Sequence, residues 1–238
     1  MTAIGVATPA SVLDALAGVY DPELDEPITQ LRFVSACDVS ANGDVRVALR
    51  LPTPQCAPNF AFLMAADARR VVSAVPGVRR VNITLEDHYT GDEINDAIAR
   101  GDGFTGAFPG ETFDDDLEAL RELFTRKALV ARQGRIVEGL LADGWSVQRL
   151  VTAPMAELPD SIDARRCLEL RAALGIDARP ESPAFVSGDG AAVSAQEFER
   201  WRRMGRLVRT SLETNGGICR SLLRFRHGLS DELEEVSR

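Results

Sequence analysis

The chain has 238 residues, 45% of them hydrophobic and 26% charged, which suits a soluble protein with a buried core rather than a membrane-embedded or disordered one. Its formal net charge of −9 has the wrong sign for gripping a phosphate backbone or an anionic bilayer, which argues against nucleic acid and membrane as partners. At ~100–200 residues per domain, the length favours two small domains over one large one.

The first 21 residues lack the basic segment and sustained apolar core of a signal peptide, and no run approaches ~20 apolar residues, so a cytoplasmic location is expected. Thr8-Pro9 reads as a helix cap with proline at the first helical position, and Val12, Leu13, Leu16 and Val19 then share a face, predicting a helix from about Pro9 to Val19. Pro22 ends that pattern. Ile28 to Ser35 reads as a strand, and Asp44 to Leu51 as a clearer one, alternating after the Asn42-Gly43 turn; the two are expected to pair as an antiparallel hairpin. A second helix begins near Pro58 with Phe60, Leu63, Met64 and Val71 as its apolar contacts. A third strand, Val78 to Leu85, follows the Pro76-Gly77 turn.

From Glu86 to Asp116 the chain turns acidic and glycine-rich, which reads as a linker and puts the domain boundary near 106. Beyond it, Leu117, Leu120, Leu123 and Phe124 open a helical pattern that continues past a break near Gly134 toward Trp145. Ser146 to Ala156, Ile162 to Leu174 and Ala195 to Leu212 read as further helices, and Pro183 to Ser187 as a short strand. The tail from Asp231 is charged and expected to fray. The fold class is therefore α+β: a helix-strand-strand-helix-strand domain over 1–106, then a mainly α-helical region over 107–238.

Three pieces of sequence carry a resemblance: the first helix, the Asp21-Pro22-Glu23 turn followed by Pro27-Ile28-Thr29, and Thr53-Pro54-Gln55-Cys56 between strand and helix. Together with the element order, they make residues Pro9 to Glu86 resemble the SufT/PaaD-like iron–sulfur cluster assembly factors. That family often has a glycine and a hydrophobic residue where this chain reads Leu31-Arg32-Phe33-Val34. The resemblance implies a non-enzymatic accessory factor for iron–sulfur or iron centres, with transient iron or an iron–sulfur cluster as cargo. Its implied partner is a client metalloprotein or an iron–sulfur carrier. Extended versions of the domain resemble accessory proteins of bacterial multicomponent diiron monooxygenases, which makes such an enzyme the implied client class. The helical region lies outside the resemblance and is expected to dock the client.

Read from the residues alone, Cys56 lies at or just before a helix N-terminus, where unpaired amides favour a thiolate able to bind iron; the alternative is a small buried hydrophobe. Asp21 and Glu23 either approach Cys56 as supporting groups, or Asp21 bonds backbone amides in an Asx-type turn. Thr53 either bonds within the cysteine loop or caps the helix, capping being the favoured role. Cys219 follows the Gly216-Gly217 pair, with Arg220, Arg224 and Arg226 nearby to lower its pKa, as a second metal ligand or a packed thiol. Cys37, expected in a hairpin loop, and Cys167, expected inside a helix, are given no role. No two cysteines have C-x-x-C spacing.

Trp201, Arg202, Arg203 and Arg206 form a basic and aromatic helical face, either solvated or client-docking. Gly101 to Gly106 spells G-x-G-x-x-G but follows a helical pattern rather than a strand, so it is read as linker rather than dinucleotide site. Glu86-Asp87-His88 and Asp92-Glu93 read as an exposed acidic loop, and neither histidine has a serine elbow beside it for hydrolysis. The rival to the assembly-factor reading is a scaffold or chaperone-like subunit in which Cys56 is structural.

Overall fold

A computed structural model describes residues 6–110 and 117–228. The charged tail from Asp231 and the acidic stretch 111–116 lie outside the described residues. The fold is α+β with a mainly helical C-terminal region, in two compact units: the first takes the described residues up to 117 and those from 216 onward, the second 118–215. The sequence boundary near 106 differs from this division in two ways. Residues 107–110 and 117 stay with the first unit, and the end of the last helix returns to it.

In the first unit, α1 (Pro9–Leu16) opens with the expected cap: Thr8 Oγ1 accepts from Ser11 N, and Ser11 Oγ receives Thr8 N in return. Its Val12 and Leu16 are fully buried, each stabilising by about 1.5–3 kcal/mol. Two short strands, β1 (Tyr20–Asp21) and β2 (Glu26–Pro27), pair antiparallel and close the turn between them. The strand expected at 28–35 begins later, as β3 (Val34–Val39). Residues before it coil instead: Leu31 N donates to Pro27 O, Phe33 N to Ile28 O, and Arg32 takes φ 62. Ile28, Leu31 and Phe33 are all buried, so apolar residues that mimic a strand pack through a turn.

Strand β3 pairs antiparallel with β4 (Asp44–Arg50), and β4 pairs parallel with β5 (Arg80–Glu86), giving the order β3-β4-β5. The parallel pair requires a crossover, supplied by α2 (Pro58–Ser73), whose Ala61, Met64, Ala65, Ala68 and Val72 pack in the core. Cys37 lies within β3, opposite Val47, not in a hairpin loop.

The expected linker after β5 is largely helical. α3 (Gly91–Arg100) sets Ile94, Ala97 and Ile98 into the core at i, i+3, i+4 and ends at Gly101, whose φ of 80 suits glycine. Asn95 pairs with both backbone groups of Leu85, fastening α3 to β5. One further turn, α4 (Phe104–Ala107), buries Ala107 and the following Phe108.

The second unit is built on α5 (Leu117–Ala142), α6 (Val147–Thr152), a 3-10 turn (Met155–Glu157), α7 (Ile162–Ala173) and the first part of α8 (Phe198–His227). The break expected at Gly134 is absent: α5 is continuous, and a Cβ there would sit 3.7 Å from Gly205 of α8, so the glycine allows close helix packing. The helix expected to reach Ala156 is split at Pro154. Pro183–Ser187 forms only isolated bridges, Pro154 with Pro183 and Val186 with Ala192. The Gly216-Gly217 pair likewise does not interrupt α8.

Candidate functional site

Parallel pairing of β4 with β5 sends the loops from their C-terminal ends to the same edge of the sheet, where open α/β crevices form. One loop, Pro52–Ala57, carries Cys56; the other, Asp87–Thr90, carries His88. They are tied together. Tyr89 N donates to Pro54 O at 3.1 Å, and His88 Nε2 lies 2.7 Å from Cys56 O. Thr90 N donates to His88 Nδ1, which fixes that nitrogen as acceptor and leaves Nε2 to donate to the Cys56 carbonyl.

Cys56 is half-buried and lies just before α2, whose N-cap residue, Ala57, provides no side-chain acceptor for the first-turn amides. Thr53 is not the cap that its residue type favoured. Its hydroxyl lies 3.6 Å from Cys56 Sγ, and its carbonyl accepts from Cys56 N. A cavity of about 60 Å³ opens beside the thiol, lined by Asp21, Glu23, Phe33, Leu51, Pro52, Cys56 and Cys219 among others. Two thiols and two carboxyl-bearing residues, distant in sequence, therefore border one small space.

Asp21 does both things the sequence allowed. Its Oδ1 accepts from Glu23 N at 2.8 Å and Leu24 N at 2.9 Å in an Asx-type turn, and the residue also borders the cavity. Burial raises its carboxyl to about 6, against the lowering effect of those two amides. At Cys219 the expectation of a lowered pKa is overturned. Burial first, then the carboxylate of Asp21, pushes its thiol up to about 11, and Arg220 opposes this only weakly. Among the described residues no group of three or more His, Cys, Asp or Glu is placed to hold a metal ion.

Cys219 reaches the cavity from the last part of α8. Leu223, one turn on, is buried in the first unit's core, a contribution of about 1.5–3 kcal/mol. Arg220 pairs with Glu26, while Arg226 pairs with Asp87 and donates to Pro52 O at 3.0 Å, touching both loops that hold Cys56. These pairs are partly exposed and worth about 0–1 kcal/mol each.

Within the second unit, the basic face of α8 divides by residue. Arg202 makes two 2.9 Å bonds to Glu138, and Arg206 bonds the same carboxylate at 3.2 Å; Arg202 first among them holds Glu138 down at about 2. Trp201 Nε1 donates to Val186 O, and its ring packs on the core. Arg203 is exposed.

Against known proteins, the signature of the iron–sulfur cluster assembly proteins matches residues 9–85, the span that builds α1 through β5. A Porphyromonas gingivalis protein named Fe-S protein maturation auxiliary factor is 30% identical over 99 residues, 41% of this chain and 92% of that protein. The chain belongs to the iron–sulfur cluster assembly protein family. An uncharacterized protein of Methanocaldococcus jannaschii shows 30% identity over 93 residues, 39% of this chain and 96% of its own length. A Mycobacterium leprae iron–sulfur cluster carrier protein is 32% identical over 77 residues, 32% of this chain but only 20% of the carrier. No solved structure matches significantly.

The family match ends before His88, which the sequence reading had placed in an exposed acidic loop. Its signal was topological: a residue two positions after a strand parallel to the one that precedes Cys56 must lie near the Cys56 loop. The assembly-family span also excludes α8, so Cys219 entered the sequence reading only through its glycines and arginines. No helix among the described residues is long and apolar enough to cross a membrane.

Proposed function

We propose that this protein is an accessory factor in the assembly of iron–sulfur or iron centres, in which Cys56 transiently contacts iron or a cluster on its way to a client. The observation that carries the reading is the half-buried Cys56 thiol, held between the β4 and β5 loops beside a cavity whose potential donors, among the described residues, are not gathered into a group of three placed to hold a metal. A carrier that must release its cargo is best served by an incomplete ligand set, because donors from the next protein can enter before the first thiolate leaves. Family membership and the maturation-factor and carrier names of its relatives support the same role. Thr53, Asp21 and Glu23 act as supporting groups: Thr53 Oγ1 lies 3.6 Å from the sulfur, and the two acidic residues border the cargo space.

The second unit is assigned to the client, which on the resemblance of the extended form is a multicomponent diiron monooxygenase component or another metalloprotein. Arg203 and Arg206 are exposed members of the basic face, Arg206 already paired with Glu138, and Arg203 is offered for that contact. The rival reading, a scaffold with a structural Cys56, draws on the lack, among the described residues, of a group of three donors placed to hold a metal. A strain lacking this protein separates the two readings. Cys56→Ser should fail to restore activity of the client while Cys37→Ser restores it, and full restoration by Cys56→Ser would favour the scaffold.

A further inference from the structure

We propose that residues 216–227 of α8 are a removable cover on the Cys56 cavity, which keeps a cluster out until the helix end lifts. The proposal rests on Cys56 being the thiol that meets cargo. Cys219, Leu223 and Arg226 follow one another at i, i+4, i+7 and so share a helix face: the first borders the cavity, the second enters the core, and the third ties down the Cys56 loop. Ile218, Leu222 and Phe225, on other sides of the helix, are exposed, Phe225 by 88%.

Size makes the cover selective. A cavity of about 60 Å³ is well under the ~150 Å³ of a cavity that takes one benzene, so it is too small to enclose an iron–sulfur cluster. Handling a cluster at Cys56 therefore requires α8 to move.

The anchoring is light enough to allow that. The buried Leu223, two partly exposed ion pairs and the bond from Arg226 to Pro52 O are among the contacts that hold the segment's side chains in place. The helix also carries a weak point at its start. A Cβ on Gly216 would lie 3.0 Å from Glu26 Oε1, a tight approach to the end of a flexible side chain, whereas a Cβ on Gly217 would meet nothing within 4 Å. Packing does not require glycine at 217, and its effect is to loosen the helix just before the cover.

The test is N-ethylmaleimide modification of the full chain near neutral pH, followed at each cysteine by mass spectrometry. Gly217→Ala should slow Cys56 modification by about fivefold, the effect of exchanging glycine for alanine in a helix interior. Glu26→Arg and Arg220→Glu should each speed it several-fold, and the double reversal should return it toward the parent rate. Cys167, buried in the second unit, should react at the parent rate in every variant. The proposal is overturned if Gly217→Ala leaves the Cys56 rate unchanged, or if Cys167 accelerates alongside Cys56, which would mean general unfolding. Thiol access is read without cargo, so a gated Cys56 that never binds iron would refute the proposed function and leave the cover standing.

Discussion

The two units each bury a charged side chain bonded to backbone groups, but in different settings. In the second, Arg171 is fully buried, and its guanidinium donates to the carbonyls of Asp177, Pro183 and Ala184. Gln133, also buried, exchanges two bonds with Val186, like one strand residue with another. Both side chains replace the sheet that the 177–186 segment lacks and hold it on the helices. In the first unit the sheet does that work, and the buried Asp21 borders a cavity instead, its carboxyl raised by burial. Burial pushes both groups toward their neutral forms, Arg171 down and Asp21 up, but Arg171 holds a chain segment in place whereas Asp21 borders a cavity beside the thiol. That contrast marks the first unit as the one shaped around a site.

The largest expected effect tests the structural half of this contrast. Arg171→Met keeps most of the volume but leaves three carbonyl oxygens without their donor, which at about 1–3 kcal/mol each should lower stability by at least 3 kcal/mol. Denaturant titration measures it, and stability near that of the parent would remove Arg171 from its structural role.

Asp21→Asn should act in the opposite direction. Asparagine keeps an oxygen for the amides of Glu23 and Leu24 but has no charge to bury. Because the folded carboxyl sits at about 6 and the ordinary one at 3.8, the advantage of the protonated fold is complete below pH ~4 and is lost as pH rises through 6. The parent should therefore lose up to about 3 kcal/mol across that window, and Asp21→Asn should lack that loss and be more stable at pH 7. Parallel pH–stability curves for the two proteins would contradict the burial account.

The smallest effect is at Arg32, whose φ of 62 is a conformation that glycine adopts more readily. Arg32→Gly should stabilise by about 0.5–1 kcal/mol net of its greater unfolded-state freedom, visible as a small rise in Tm.

Much of the first unit was legible from local pattern. Proline at the start of two helices, alternation in β4 and β5, and the Thr53–Cys56 run gave the layer and placed Cys56 at a helix start. Three kinds of error followed from physics that acts beyond the local window. Acidic, glycine-rich composition put α3 inside a linker, although the helical pattern before Gly101 is legible in the spacing of Ile94, Ala97 and Ile98. From sequence Gly134 reads as a break, whereas it serves close packing of α5 against Gly205 of α8. An apolar run at 28–33 was read as strand because its turn depends on a positive φ at Arg32, where residue type gives no warning. The approach of Cys219 and His88 to the Cys56 loop depends on long-range topology, which periodicity does not encode. Arg202 and Arg206 were grouped by charge with Arg203, yet their partner, Glu138, lies on a different helix.

The central claim, that Cys56 is where the cargo is held, is tested most directly by anaerobic reconstitution with ferrous iron and sulfide, followed by gel filtration and an iron count. The account predicts that the parent, Cys37→Ser and Cys167→Ser retain iron that passes to an apo iron–sulfur acceptor, while Cys56→Ser retains little and transfers none. Iron retention and transfer by Cys56→Ser equal to the parent would contradict it.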